Sequence, residues 1–302
     1  MLSNPMFLVI SFILIITTSS RSHAQDISAT VQHGDVVSMA ELPQLPSWQA
    51  SAEAGWLPAS SIHGSSGNVT MEDVKFGFVR RFKITPRLAL STGLRYSLQN
   101  LEAPDSVRLP ESLQALSVSF GGDYRLTDHL TMGISISPGL SSDFKTVSTS
   151  DIRVPLALIA RYQPSRELTF QGGVGYTSGS HGVPVMPMIG LLYKPSETWS
   201  FALGFPRTGV SYKPRRDVEC HLGAELGGGE YQLHDASLGA DVIRYSDIRG
   251  VAGIDVSLLP FIKLGIYGGY SFDRKFVFYG GSRDDVHVDN APFGKVEIKV
   301  AW

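Results

Sequence analysis

The chain has 302 residues, 43% apolar and 18% charged, with 26 Lys and Arg against 28 Asp and Glu. That near balance argues against nucleic acid as a partner, and the single cysteine, Cys220, excludes an intramolecular disulfide or a multi-cysteine zinc site. Thirty-one glycines and 17 prolines favour many turns.

The first element is Met6 to Ile16 (MFLVISFILII), an almost unbroken apolar run followed by TTSSRSHAQ. It reads as a secretory signal peptide with cleavage after Ala24 and mature residue Gln25, and it is too short for a spanning helix of about 20 residues. No Lys or Arg precedes the run, which departs from the usual signal, and an N-terminal core helix is the alternative. Without residues 1–24 the chain loses one arginine and carries a formal charge of −3. Residues 25–45 read as an N-terminal periplasmic segment, and the patterned domain begins at 46.

From there one pattern recurs, apolar residues alternating with polar or small ones, which is the period of a strand with one oily face. Trp48 to Trp56 is the first such segment, and Val74 to Phe82, Leu88 to Leu98, Leu116 to Leu126 and Leu130 to Ile136 follow. Val154 to Tyr162, Leu168 to Tyr176, Val185 to Tyr193, Trp199 to Phe205 and Val218 to Leu226 continue it. Tyr231 to Leu233, Ile248 to Leu258, Ile262 to Phe272 and the C-terminal segment complete a set of about 14, or 12 because residues 207–234 are weakly patterned. Tight turns such as Thr85-Pro86-Arg87 and Pro195-Ser196-Glu197 alternate with longer polar stretches at residues 57–71, 99–111, 141–152, 235–246 and 273–291. Short turns on one side and long loops on the other are the asymmetry of a transmembrane barrel.

Size decides where the oily face points. A barrel of about 8 strands already fills its interior with side chains, so about 14 strands with Leu, Ile and Phe turned inward would enclose an oily void. The same strands facing lipid enclose a wet lumen. Trp48 and Trp56, on one face, lie about 26 Å apart along the strand, or about 20 Å across a membrane after tilting, close to the spacing of two aromatic girdles. The expected fold is therefore all-β, a closed antiparallel up-and-down transmembrane barrel; a soluble β-sandwich is the alternative.

The chain ends FGKVEIKVAW, with Val296, Ile298, Val300 and Trp302 alternating with Lys295, Glu297 and Lys299. This segment resembles the C-terminal signature of bacterial outer-membrane barrels. The resemblance implies reading by the barrel-assembly machinery, with outer-membrane lipid as the other partner and the outer membrane of a Gram-negative-type bacterium as the location. In addition, PVMPMIGLLYKPSETWSFALGFPRTGVSYKP (184–214), LGGGEYQL (226–233) and GYSFDRKF (269–276) resemble a family of outer-membrane barrels known only as a domain of unknown function. That family carries no agreed activity, so no catalytic residue follows from it.

Charges on the expected inward faces are Lys75, Arg81, Arg95, Glu219, His221 and Glu225, then Arg249, Asp255, Lys263, Lys295, Glu297 and Lys299. Mixed signs fit a transverse field in a pore, salt bridges that plug it, or solvated groups without selectivity. Glu219, His221 and Glu225 share a strand face, but about 20 Å separates the two acids, too far for one metal ion. Asp284, Asp285, His287 and Asp289 lie in the last long loop, where polar residues are routine. No outward face carries a histidine for a lipid-facing hydrolase, only His63, His181 and His287 qualify for a rim protease, and no cofactor motif occurs. The sequence thus points to a non-enzymatic pore for small solutes, with a plugged structural or adhesion barrel as the alternative and a membrane-embedded hydrolase behind both.

Overall fold

The computed structural model describes residues 47–302 except 183 and 206. The expected signal peptide and the segment 25–45 lie outside the described residues. Strands β1 (Trp48–Ser61), β2 (Asn68–Lys83), β3 (Leu88–Glu102) and β4 (Ser112–Arg125) form a meander. Then come β5 (Leu130–Ile136), β6 (Gly139–Ser142), β7 (Ile152–Tyr162), β8 (Leu168–Ser178) and β9 (Val185–Tyr193). A short hairpin, β10 (Trp199–Gly204) and β11 (Thr208–Arg215), precedes the long β12 (Val218–Gln232), β13 (Val242–Leu259) and β14 (Ile262–Tyr279). β15 (Val286–Val288) and β16 (Ala291–Ala301) end the chain. Among the described residues no helix is long and apolar enough to cross a membrane.

The sheet closes. β1 pairs antiparallel with β16 from Gln49↔Ala301 to Trp56↔Gly294, and Trp48 and Trp302 exchange backbone hydrogen bonds of 2.9 and 3.0 Å. Their rings stack at 6.4 Å and 11°. Counting β5 and β6 as one stave interrupted at Pro138, and β15 as an addition to β14, the barrel has 14 antiparallel staves. Pro138 breaks the stave because it has no N–H for the ladder. Its carbonyl still accepts from the Val118 N–H at 2.9 Å, so the chain keeps its place in the wall.

Alternation sorts the side chains. Trp56, Phe76, Leu94, Val118, Ile134, Ile266 and Ile298 point outward and are exposed. Every second residue turns inward instead. In lipid, backbone polar groups must bond within the structure, and a closed ladder with an apolar exterior meets that demand.

The strands run further than their alternating stretches. β1 and β2 leave only residues 62–67 between them, and β13 begins at Val242. The pattern breaks there because these extensions rise beyond the apolar band, where the outward face is free to be polar. Tyr231–Leu233 is not a separate strand: residues 231 and 232 continue β12, and the fourteenth stave is β11. β11 (TGVSYKPR) shows too little alternation to be read as a strand.

The long-loop end has a different cross-section. Ser142 on β6 bridges to Gln232 on β12, the Ser141 hydroxyl donates to the Glu230 carbonyl at 2.6 Å, and the Asp143 N–H donates to the Gln232 carbonyl at 3.0 Å. Ile62 bridges to Val288 on the far side. These contacts close a smaller ring of nine strands, β1, β2, β3, β4, β6, β12, β13, β14 and β15. A ring of that size fills itself. Leu57, Val69, Met71, Leu113, Ile243, Tyr245 and Phe276 pack inside it, and Val107 and Leu238 from the loops cover them. Beside the ring, β7, β8 and β9 rise as a separate arc.

Candidate functional site

Below the filled ring the inward positions of the wide barrel make a belt of charge. Glu53 on β1 accepts from Lys75 on β2 at 2.6 Å and lies 3.8 Å from Lys295 on β16. Lys75 also lies 3.5 Å from the buried Asp73. Lys295 reaches past the ring of Tyr267 to donate to Glu225 on β12 at 3.0 Å, crossing two staves. Glu297 stands opposite Glu53 across the β1–β16 ladder and pairs with Lys299 at 3.1 Å. Two like charges in direct register are unfavourable unless cations intervene, and Lys75, Lys295 and Lys299 do so. Arg81 donates to Gln49 at 3.2 Å near the short-turn end, while Arg95 lines the same lumen as Glu53 and Lys75.

Higher up, Asp247 on β13 accepts from Arg249, Ser271 and Tyr245 at 2.7, 2.7 and 3.0 Å. A buried carboxylate needs this many donors to keep its charge.

A second cluster sits closer to the short turns. Ser211 on β11 lies 2.9 Å from His221 Nδ1, and His221 Nε2 lies 3.1 Å from Asp255 on β13. Tyr267 also donates to Asp255. Ser, His and Asp in sequence form the relay of a hydrolase, yet register alone brings them together here, because Ser211 is directly opposite His221 and Glu219 directly opposite Asp255. Acyl transfer also needs donors aimed at an oxyanion. The nearby backbone N–H groups are committed to the β11–β12–β13 ladder.

Glu219, His221 and Asp255 each bring a ligand atom within 4.8 Å of the others. Lys263 lies 3.8 Å from both acids and Lys213 3.4 Å from Glu219. Ammonium groups occupy the place a cation would take, so the cluster is a salt-bridge web rather than a metal site. Glu225 is turned away to Lys295.

The loop acids scatter. Asp289 pairs with His63 at 2.6 Å on the exposed rim, Asp285 accepts from the Phe278 N–H at 3.2 Å, and His287 is held in the short β15 ladder. Lys145 and Asp235 pair across two loops; the hydrogen bond from Lys145 holds the Asp235 carboxyl down at about 2. Arg283 donates to the carbonyls of Val107, Arg108 and Leu238, and its burial there lowers its pKa.

Sequence reasoning missed a third cluster. Glu230 on β12 accepts from Arg244 on β13 and from the His181 N–H at 3.0 Å, and Arg153 on β7 approaches it to 3.8 Å. His234 meets the buried Asp151 at 2.6 Å beside it. Arg244 falls in the stretch 235–246 read as a loop and Glu230 between the segments 218–226 and 231–233, and a longer strand reading would have turned both inward.

The belt, with Arg249, Arg153 and Glu230 above it, surrounds a lumenal cavity of about 230 Å³. Seven Lys and Arg line it against four Glu, with serines between them, so its field favours anions. A second indentation of about 340 Å³ lies on the outer wall, where Ala50 and Ala52 sit among Phe76, Phe78 and Leu94. It is apolar and suits an acyl chain.

The fold recurs in solved structures. The COG4313 outer membrane channel from Pseudomonas putida F1 aligns with a TM-score of 0.50 at 9% identity, over 85% of this chain and 96% of that one. The toluene transporter TbuX from Ralstonia pickettii aligns at 0.40 and 8% identity over 87% and 93%, and the TodX monoaromatic hydrocarbon channel at 0.49 and 10% over 84% and 89%. At 9% identity the likeness to the COG4313 channel establishes the barrel and nothing finer. No curated protein matches the sequence. Residues 85–285, most of the barrel, match the family described as Domain of unknown function (DUF6268), and the chain belongs to that family.

Proposed function

We propose that the protein is a passive, non-enzymatic channel of the outer membrane for small solutes, with the long loops outside and the short turns in the periplasm. The lumenal cavity carries this reading. A barrel of 14 staves is wider than its side chains can fill, and the space left over is lined by charged side chains, cations in excess of glutamates, and by serines rather than by a packed core. Export through residues 1–24 and insertion by the barrel-assembly machinery, reading Val296, Ile298, Val300 and Trp302, belong to the same reading. The salt-bridged belt supports a transverse field across the lumen.

Planar-bilayer recording of the refolded full chain is the test. Stepwise conductance with preference for chloride over potassium is the expected result. A silent bilayer from correctly folded protein would favour the plugged structural barrel, for which the filled nine-strand ring is the specific argument. Lipid-release and peptidase assays on the same preparation should stay at background.

A further inference from the structure

We propose that the lumen opens sideways, through a window in the wall between β9 and β12 at the long-loop half of the bilayer, and that this route takes anionic amphiphiles. The inference rests on the channel reading above and names its path and substrate class.

Strand lengths define the window. β10 has six residues and β11 eight, between β9 with nine and β12 with 15. Pairing of β9 with β10 stops at Gly190↔Gly204, and that of β11 with β12 at Thr208↔Ala224. Above the hairpin, among the described residues, β9 keeps only β8 as a ladder partner, while β12 continues to Gln232 against β13 and meets β6 on its other edge from Glu230 upward. Two strands missing from a wall of about 4.8 Å spacing leave up to about 14 Å between the flanking backbones. From Leu226 to Glu230 the edge rises about 13 Å.

The edges suit an opening. The Ile189 carbonyl accepts from the Phe205 N–H at 2.8 Å, so Pro187, two residues further up, faces the same gap. Proline there has no N–H to strand at membrane depth. On β12 the carbonyls of Glu230 and Gln232 turn away from β13 and are taken by Ser141 and Asp143, so by alternation the Gly228 carbonyl below them faces the gap. Gly228 has φ +122°, and a Cβ on it would lie 2.1 Å from the Tyr245 carbonyl oxygen, which keeps the frame free of a side chain. Irregular backbone at this depth is tolerated where it borders a water-filled space.

The frame is bounded above and below. Ser180 and His181 reach from the β8–β9 loop to Glu230, which makes a lintel. Below, Phe205 packs on a lumen-facing apolar cluster of Met186, Met188, Ala157 and Ile159. Arg207, exposed on the same sill, lines the cationic cavity. The way straight up through the nine-strand ring is filled by its core. An apolar patch beside a cationic cavity, with a side exit, fits a molecule with an anionic head and an apolar tail.

The test uses the full chain in vesicles with Cys220→Ser as background. Bimane is placed at Arg207→Cys on the sill, at Ser97→Cys in the lumen and at Leu158→Cys on the intact wall. Brominated phosphatidylcholine probes contact with lipid, and iodide probes contact with water. Quenching of the sill label by both agents, with the lumen label answering only iodide and the wall label only lipid, is expected. Iodide-only quenching at the sill overturns the window, even if the protein conducts; dual quenching in a protein that does not conduct overturns the channel reading and leaves the window. Should Arg207→Cys fail to fold, Phe205→Cys is judged by the same criterion. For the substrate class, decanoate should block the current where acetate does not, and Arg207→Gln should raise the blocking concentration about tenfold, the worth of one charged hydrogen bond. Equal block by decanoate and acetate, or no change in Arg207→Gln, overturns that assignment.

Discussion

Ile134 and Ser135 are neighbours on β5 that face opposite solvents, and they give the sharpest test of which face meets lipid. Ile134 is 55% exposed on the outer wall, four residues above Leu130, whose ladder partner is the exposed Tyr162. If Tyr162 marks the interface, four residues at about 3.3 Å each, tilted by about 40°, place Ile134 about 10 Å above it. That is close to the middle of an apolar band about 25 Å tall. Arginine at the midplane costs about 2 to 4 kcal/mol, so Ile134→Arg should lower the folding constant by a factor of about 30 to 900. Ser135→Arg points into the lumen and should lose about 1 kcal/mol or less, since lumen substitutions are solvated. Reversible urea unfolding in phosphatidylcholine vesicles, read by tryptophan fluorescence, compares the two. Equal losses would refute the reasoning and return the chain to a two-faced soluble sheet.

Deleting Trp302 or replacing it by Ser removes the ring stacked on Trp48 and should lower the heat-modifiable folded fraction in cells several-fold more than a loop change such as Val147→Ser. Lys75→Met leaves Glu53 and Asp73 short of a cation and should cost about 1 to 3 kcal/mol while moving the reversal potential toward cation preference; an unchanged potential would remove the belt from the conduction path. Because the Lys145 hydrogen bond depresses Asp235 to about 2, their contact should persist from neutral pH through the ordinary carboxylate range near about 4 and weaken only as pH falls toward 2, which a carboxyl-carbon titration would follow. Ser211 should stay unlabelled by a fluorophosphonate, and Ser211→Ala should conduct like the parent; labelling would revive the hydrolase.

Much of this architecture is legible in the sequence because lipid imposes a simple rule. Wherever a strand crosses the apolar band, one face must be oily, and Val185 to Tyr193 is readable to the residue for that reason. The rule lapses beyond the band. Hence the outer parts of β1, β2, β13 and β14 read as loop, and with them went Arg244. β11 escaped for a different reason: much of its short length carries Lys213, Pro214 and Arg215 of the adjoining turn. The Ser211–His221–Asp255 contact depends on register between β11, β12 and β13. No single-strand periodicity reports that. The nine-strand ring was equally hidden, because its closing contacts join β6 to a strand 89 residues away.

That ring gives the long-loop half of the molecule two unlike lobes sharing one seam, a closed circuit and an arc beside it. One carries most of the buried hydrophobic mass, whereas the other, built on β7 to β11, has only a small cluster of its own. Lengthening, shortening or recharging the β10–β11 hairpin alters what the side lobe admits without touching the core that holds the barrel together, so that hairpin is where such a scaffold can change its cargo at least risk to its fold.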